Sequence, residues 1–179
     1  MTAVQRWFGD AFVTLHPRLQ ELHSRGGRLR GEVEITIGKG LAGWIGGRVA
    51  RAIGLPIERT RDTFEVEIRH VDDALSWTRR FGHGVEMQSL FVPVGTWPGG
   101  YWYEKTHGLQ MWMSVDTTDG AWQWKPLRAH LRGVRLPLCL LPESRAGKRI
   151  AGDEYVFWVE FVVPLIGEVL SYRGTLSIV

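Results

Sequence analysis

The sequence predicts an α+β domain: a strongly curved antiparallel β-sheet or barrel of about eight to nine strands, with an N-terminal helix and a second short helix packed on it. Three observations lead there. Apolar residues recur at three- and four-residue steps only before about residue 56. From about residue 62 onward every segment alternates or is continuously apolar. The connections between those segments are short and built from turn residues, which suit antiparallel neighbours.

Val4, Phe8, Ala11 or Phe12, Leu15, Leu19 and Leu22 lay an apolar stripe along a helix from about residue 3 to 23. Pro17 kinks or splits it, and Gly26-Gly27 ends it. "LRGEVEITIG" then alternates, with Val33, Ile35 and Ile37 on one face and Glu32, Glu34 and Thr36 on the other, the pattern of a half-buried strand. "LAGWIGGRVARAIGLP" reads as a short glycine-rich helix closed by Gly54 and Pro56. The remainder reads as the strands "TFEVEIRHV", "LSWTRRF", "VEMQSLFVPV", "YWYEK", "LQMWMSVD", "AWQWKPL", "YVFWVEFVV" and "EVLSYRGTLSIV". Turns fall at Asp72-Asp73, Gly82-His83-Gly84, Gly95 to Gly100, Asp119-Gly120, Gly147 to Gly152 and Pro164 to Gly167. A closed sheet of that size can enclose one small ligand.

The chain of 179 residues predicts a single domain, 1–179, able to bury a core without disulfides. Its 44% hydrophobic and 23% charged content is that of a globular chain. Nine tryptophans point to a generous core or a lined cavity. The formal net charge of +3 is spread along the chain with no basic run, which argues against nucleic-acid binding. The lone Cys139, in the apolar run "LPLCLLP", reads as a buried inert thiol suited to a reducing compartment. No secretory signal pattern and no long apolar span is present, so a soluble cytoplasmic protein without integral membrane association is expected.

Residues 38 to 43, G-K-G-L-A-G, spell a dinucleotide fingerprint with Glu58 twenty positions after its first glycine. The alternating strand before it and the hairpins after it do not fit parallel βαβ units, so a tight strand-to-helix turn is the favoured reading. His16, His23, His70, His83, His107 and His130 show no metal-ligand spacing, and no nucleophile elbow or phosphate loop occurs. No cofactor and no metal are expected, and no catalytic constellation is recognisable.

The informative segment is "ALSWTRRFGHG". Strand parity puts Trp77, Arg79 and Phe81 on one face, and the bulky face should be the buried one. A buried guanidinium needs a carboxylate, other acceptors or water. Glu104, which shares a face with Trp102, is a candidate partner, and Glu160 is a second carboxylate in an apolar strand. Ser89 alternates with Val85, Met87 and Phe91, and Tyr172 with Leu170, Gly174 and Leu176, so both would bring hydroxyls to the same interior. One reading is a structural Arg79–Glu104 pair with a cation–π contact to Trp77. A second is an apolar pocket whose few polar groups fix a ligand's head, and a third is an exposed Arg79 on a face whose parity has slipped.

"FGDAFVTLHPRLQELH", "GLP" at 54 to 56, "WTRRFG", Glu104 with Gly108 four residues on, "GVRLPLCLLP" and "VPLIGEVLSYRGTL" together resemble the bacterial family known as domain of unknown function 4166, over nearly the whole chain. The family's pattern falls on Trp77, Arg79, Phe81, Ser89, Glu104, Gly108, Tyr172 and Gly174. Its members stand alone or are joined to the C-terminus of NAD(P)-binding proteins similar to saccharopine dehydrogenase. The resemblance thus implies a free-standing member and keeps an accessory role beside a redox enzyme in view.

The expected function is a binding module holding an apolar or amphipathic small molecule in a barrel-like cavity. Arg79, Ser89 and Tyr172 would meet its polar end, with Glu104 beside them, and Trp77, Phe81, Met87, Met111 and Met113 would line the wall. The alternative is an accessory domain beside an NAD(P)-dependent oxidoreductase, docking through Trp97, Tyr101 and Tyr103, with Arg79 and Glu104 purely structural. A third reading makes Glu104 a general base.

Overall fold

The structure is a computed structural model that describes residues 1–136 and 143–179. Eleven strands form one antiparallel sheet: β1 (Gly27–Ile37), β2 (Arg61–Val71), β3 (Ala74–Phe81), β4 (Glu86–Val94), β5 (Tyr101–Thr106), β6 (Leu109–Asp116), β7 (Trp122–Leu131), β8 (Val134–Leu136), β9 (Glu143–Ala151), β10 (Glu154–Val163) and β11 (Gly167–Ile178). The order runs β6-β5-β4-β3-β2-β1-β11-β10-β9-β7-β8, and a further pairing of β6 with β7 closes a barrel of ten strands, leaving β8 as an extra strand on β7.

Closure is uneven. β6 and β7 pair from Leu109–Leu131 to Asp116–Gln123, whereas β7 and β9 pair only at Trp122–Lys148, Gln123–Gly147 and Trp124–Ala146. Beyond Trp124 the two strands part. Among the described residues, no strand pairs with that edge of β7 between Trp124 and Ala129.

The alternation noted in the sequence sets the inner face. Phe64, Val66 and Ile68 of β2, Leu75, Trp77, Arg79 and Phe81 of β3, and Met87, Ser89 and Phe91 of β4 are all buried, in the period-two pattern of a strand with one dry face. The outer face of the same strands is polar: Arg80 bonds Glu65, Glu67 and Glu86 across β2, β3 and β4. Glu67 also meets Arg28 and Arg69, and bonding by Arg69 in particular holds its carboxyl below the usual range.

The N-terminal segment is two helices, not one. α1 (Ala3–Phe8) stops at Gly9, a 3₁₀ segment spans Gly9–Thr14, and α2 (Pro17–Arg25) begins with Pro17 at its first turn and His16 as its cap. Proline lacks an N–H that position N1 does not need, so it starts a helix where it would break a longer one. Trp7, Phe8, Leu15, Leu19 and Leu22 from this segment pack with Trp102 and Trp122 and close one end of the barrel.

α3 (Gly40–Ile53) crosses the other end. Glycines seat it at its middle and at its C-terminal end. A Cβ on Gly46 would lie 2.0 Å from the Val169 carbonyl oxygen of β11, and Gly54, left-handed at φ 74°, lies against the His107 ring in the β5–β6 turn. The G-K-G-L-A-G stretch is the turn from β1 into α3, and β1 is antiparallel to both its neighbours, so it does not sit in a βαβ unit.

Two further expectations need correction. Residues 143–151 form β9, so most of the Gly147 to Gly152 stretch read as a turn is strand, which takes the barrel to ten strands. Trp97, Tyr101 and Tyr103 are half-buried, with Trp97 packed on the core, and do not form an exposed aromatic surface. Cys139 and the rest of its run, residues 137–142, lie outside the described residues. Among the described residues no helix is long and apolar enough to cross a membrane.

Candidate functional site: a two-chambered cavity in the barrel

Between the N-terminal helices and α3 the barrel encloses an inner cavity of about 100 Å³. A larger outer chamber, about 810 Å³, lies where β7 and β9 part and reaches under Arg48, Val49 and Ala52 of α3. Ile53, Leu109, Met111, Trp124 and Phe161 line both, so the two spaces share a wall.

Eight of the nine residues singled out from the sequence border the inner cavity: Trp77, Arg79, Met87, Ser89, Glu104, Met111, Met113 and Tyr172. Phe81 stands apart, its ring 4.9 Å from that of Phe64 near the β3–β4 turn. Glu160, on the opposite parity from Phe161, borders the outer chamber and not the inner one.

Arg79 and Glu104 are joined, but not as an ion pair. Arg79 Nη1 donates to Ser89 Oγ at 2.9 Å, Ser89 Oγ bonds Thr106 Oγ1, and Thr106 Oγ1 donates to Glu104 Oε1 at 2.8 Å. Register explains the relay: Ser89 is the cross-strand partner of both Trp77 and Thr106, so the two hydroxyls stand between the guanidinium on β3 and the carboxylate on β5. Thr106 was not foreseen because an isolated threonine at a strand end carries no parity signal of its own. Among the described residues no carboxylate lies within ion-pair distance of Arg79, whose guanidinium carbon is 5.6 Å from the Trp77 ring centroid.

A second pair of groups was also missed. Lys148 of β9 is 3% exposed, and its Nζ lies 4.1 Å from the ring centroids of both Trp77 and Trp122 with no hydrogen-bond partner. Burial, then the neighbouring Arg79 charge, pushes its pKa well below 10.5. His23 of α2 is fully buried against Trp122, ring centroids 4.7 Å apart, and both its ring nitrogens lack partners. Burial lowers its pKa well below 6.5, with Lys148 and His70 adding to the effect. Burial raises the phenols of Tyr155 and Tyr172, the Arg79 charge working against it.

The site is thus a mostly apolar, aromatic-walled cavity. Its polar groups converge at the inner end: a guanidinium bonded only to a neutral hydroxyl, an amine bonded to nothing, a carboxylate reached through two hydroxyls, and a buried phenol. No group of three or more His, Cys, Asp or Glu side chains converges to hold a metal among the described residues.

No curated protein sequence matches this chain. A family model, described as domain of unknown function (DUF4166), matches residues 15–176, which take in β1 to β10, most of β11 and all the polar groups just described. The chain belongs to the DUF4166 family.

Proposed function

We propose that the domain is a binding module for one amphipathic small molecule with an acidic head group, held head-inward in the barrel. The head would meet Arg79 and Lys148, Ser89 and Tyr172 would supply hydroxyls, and the apolar part would extend past Met111 and Trp124 into the outer chamber. That chamber has the volume of an ordinary small-molecule pocket.

The observation that carries the reading is the pair of under-partnered nitrogen groups at the inner end. A buried amine without an acceptor and a buried guanidinium without a carboxylate each cost folding free energy, and an incoming carboxylate, sulfate or phosphate would satisfy both. An arriving anion would favour the charged form of Lys148, against the burial that lowers its pKa in the free protein. Glu104, two hydroxyls away, would fix the orientation of Ser89 and Thr106.

Titration with the fluorescent probe dansylaminoundecanoic acid tests this. The expected result is a saturable rise in emission with one probe per chain, displaced by an unlabelled long-chain fatty acid. Absence of saturable binding by folded protein, together with only the bare chain mass in native mass spectrometry of material from its own host, would overturn the proposal.

A further inference from the structure

α3 turns an unusual surface to solvent. Its inner face, Gly46, Ala50 and Ile53, is buried, while Leu41, Trp44, Arg48 and Arg51 recur at helical spacing along the outer face. Leu41 is 62% exposed and Trp44 is 58% exposed, and the Arg48 guanidinium lies 4.0 Å from the Trp44 ring centroid. Lys39 caps the helix, and the helix carries no acidic residue. Beside it the turn between β10 and β11 holds Leu165, fully exposed, and Ile166. Arg48, Val49 and Pro164 border the same outer chamber, so helix and turn flank one opening. Glu168, at the foot of the turn, accepts the Ser171 hydroxyl at 2.8 Å.

Large apolar side chains left in water beside the mouth of a cavity mark a docking surface. Its chemistry selects the partner. Tryptophan and leucine interleaved with arginines, on a helix free of acids, match the boundary layer of an anionic bilayer, where rings and aliphatic tips enter the headgroup region and cations meet phosphates. We infer that the α3 stripe and the Leu165–Ile166 turn dock the barrel mouth reversibly on anionic membrane surfaces. This goes beyond the proposed ligand-binding role and shares only Arg48 with the chamber lining.

Co-sedimentation tests it, using vesicles of phosphatidylcholine alone and of phosphatidylcholine with about a third phosphatidylglycerol. The intact protein should pellet with the anionic vesicles, and raised salt should release it. Leu165→Asp and Arg51→Glu lie on exposed positions outside the chamber lining and should keep the melting temperature. Each should weaken vesicle binding at least about tenfold while dansylaminoundecanoic acid binding is unchanged. A protein that stays in the supernatant with both vesicles, or a Leu165→Asp variant that pellets as well as the parent, would overturn the inference. A concentration-dependent dimer lost on Leu165→Asp, with vesicles ignored, would assign the face to self-association and overturn it equally. Because the fatty-acid probe is measured separately, failure of one proposal does not imply failure of the other.

Discussion

Arg79 reaches Ser89 Oγ at 2.9 Å and meets Glu104 only through the Ser89 and Thr106 hydroxyls. A direct ion pair would have satisfied the guanidinium. The relay uses one donor of Arg79, whose side chain borders the cavity. Arg79→Leu is therefore expected to weaken fatty-acid probe binding by about 10- to 100-fold, the worth of a charge-assisted hydrogen bond, with the barrel still folded. Glu104→Gln keeps the acceptor for Thr106 and should change binding far less. Probe titrations on the two variants, with melting curves alongside, check both statements.

Lys148→Met replaces a buried, unpartnered amine by an apolar side chain of similar length. It should raise folding stability by about 1–3 kcal/mol, read from urea denaturation midpoints. The same change should weaken acid binding. Because an arriving anion would raise the lowered Lys148 pKa, the pH dependence of acid affinity should differ between the parent and Lys148→Met, read from probe titrations across pH.

His23 predicts a pH signature. Its folded-state pKa lies below the ordinary 6.5, so between the two values the unfolded chain binds more protons than the folded one. Stability should rise with pH through that window, level off above 6.5, and fall as the solution is acidified through it. The carboxylates held low, Asp62, Glu65, Glu67 and Asp116, lose their contribution only at lower pH, below their ordinary values of 3.8 and 4.5. Melting temperatures measured as the pH is lowered below 6.5 should consequently show a slope that His23→Leu flattens.

Gly46→Ala places a methyl group 2.0 Å from the Val169 carbonyl oxygen. α3 must lift from β11, at a cost of about 1–3 kcal/mol. Hydrogen exchange should quicken in residues 40–53 while the β2–β4 amides stay protected.

Much of the wall was legible because its strands alternate. Trp77 and Arg79, Met87 and Ser89, Tyr172 and Leu176 carry a period of two that any half-buried strand must show, and the inner face follows from it. β9 was not legible. Its inward positions are Ala146, Lys148 and Ile150, a small residue, a charge and one aliphatic, and Gly147 interrupts them, so the segment reads as a turn. Lys148 was missed with it. The convergence of Thr106, Lys148 and His23 with Arg79 depends on which strands close the barrel, and closure through β6–β7 and β7–β9 is long-range information that local pattern does not hold. Phe81 shows the converse limit: parity placed it inward correctly, but not how far along the barrel axis the cavity extends.

The most direct measurement compares, by isothermal titration calorimetry, a long-chain fatty acid with the alcohol of equal chain length on the parent protein and on Arg79→Leu. The account predicts that the parent prefers the acid by at least about tenfold and that the preference disappears with the guanidinium. Equal affinities for acid and alcohol, or an acid preference that survives Arg79→Leu, would contradict it.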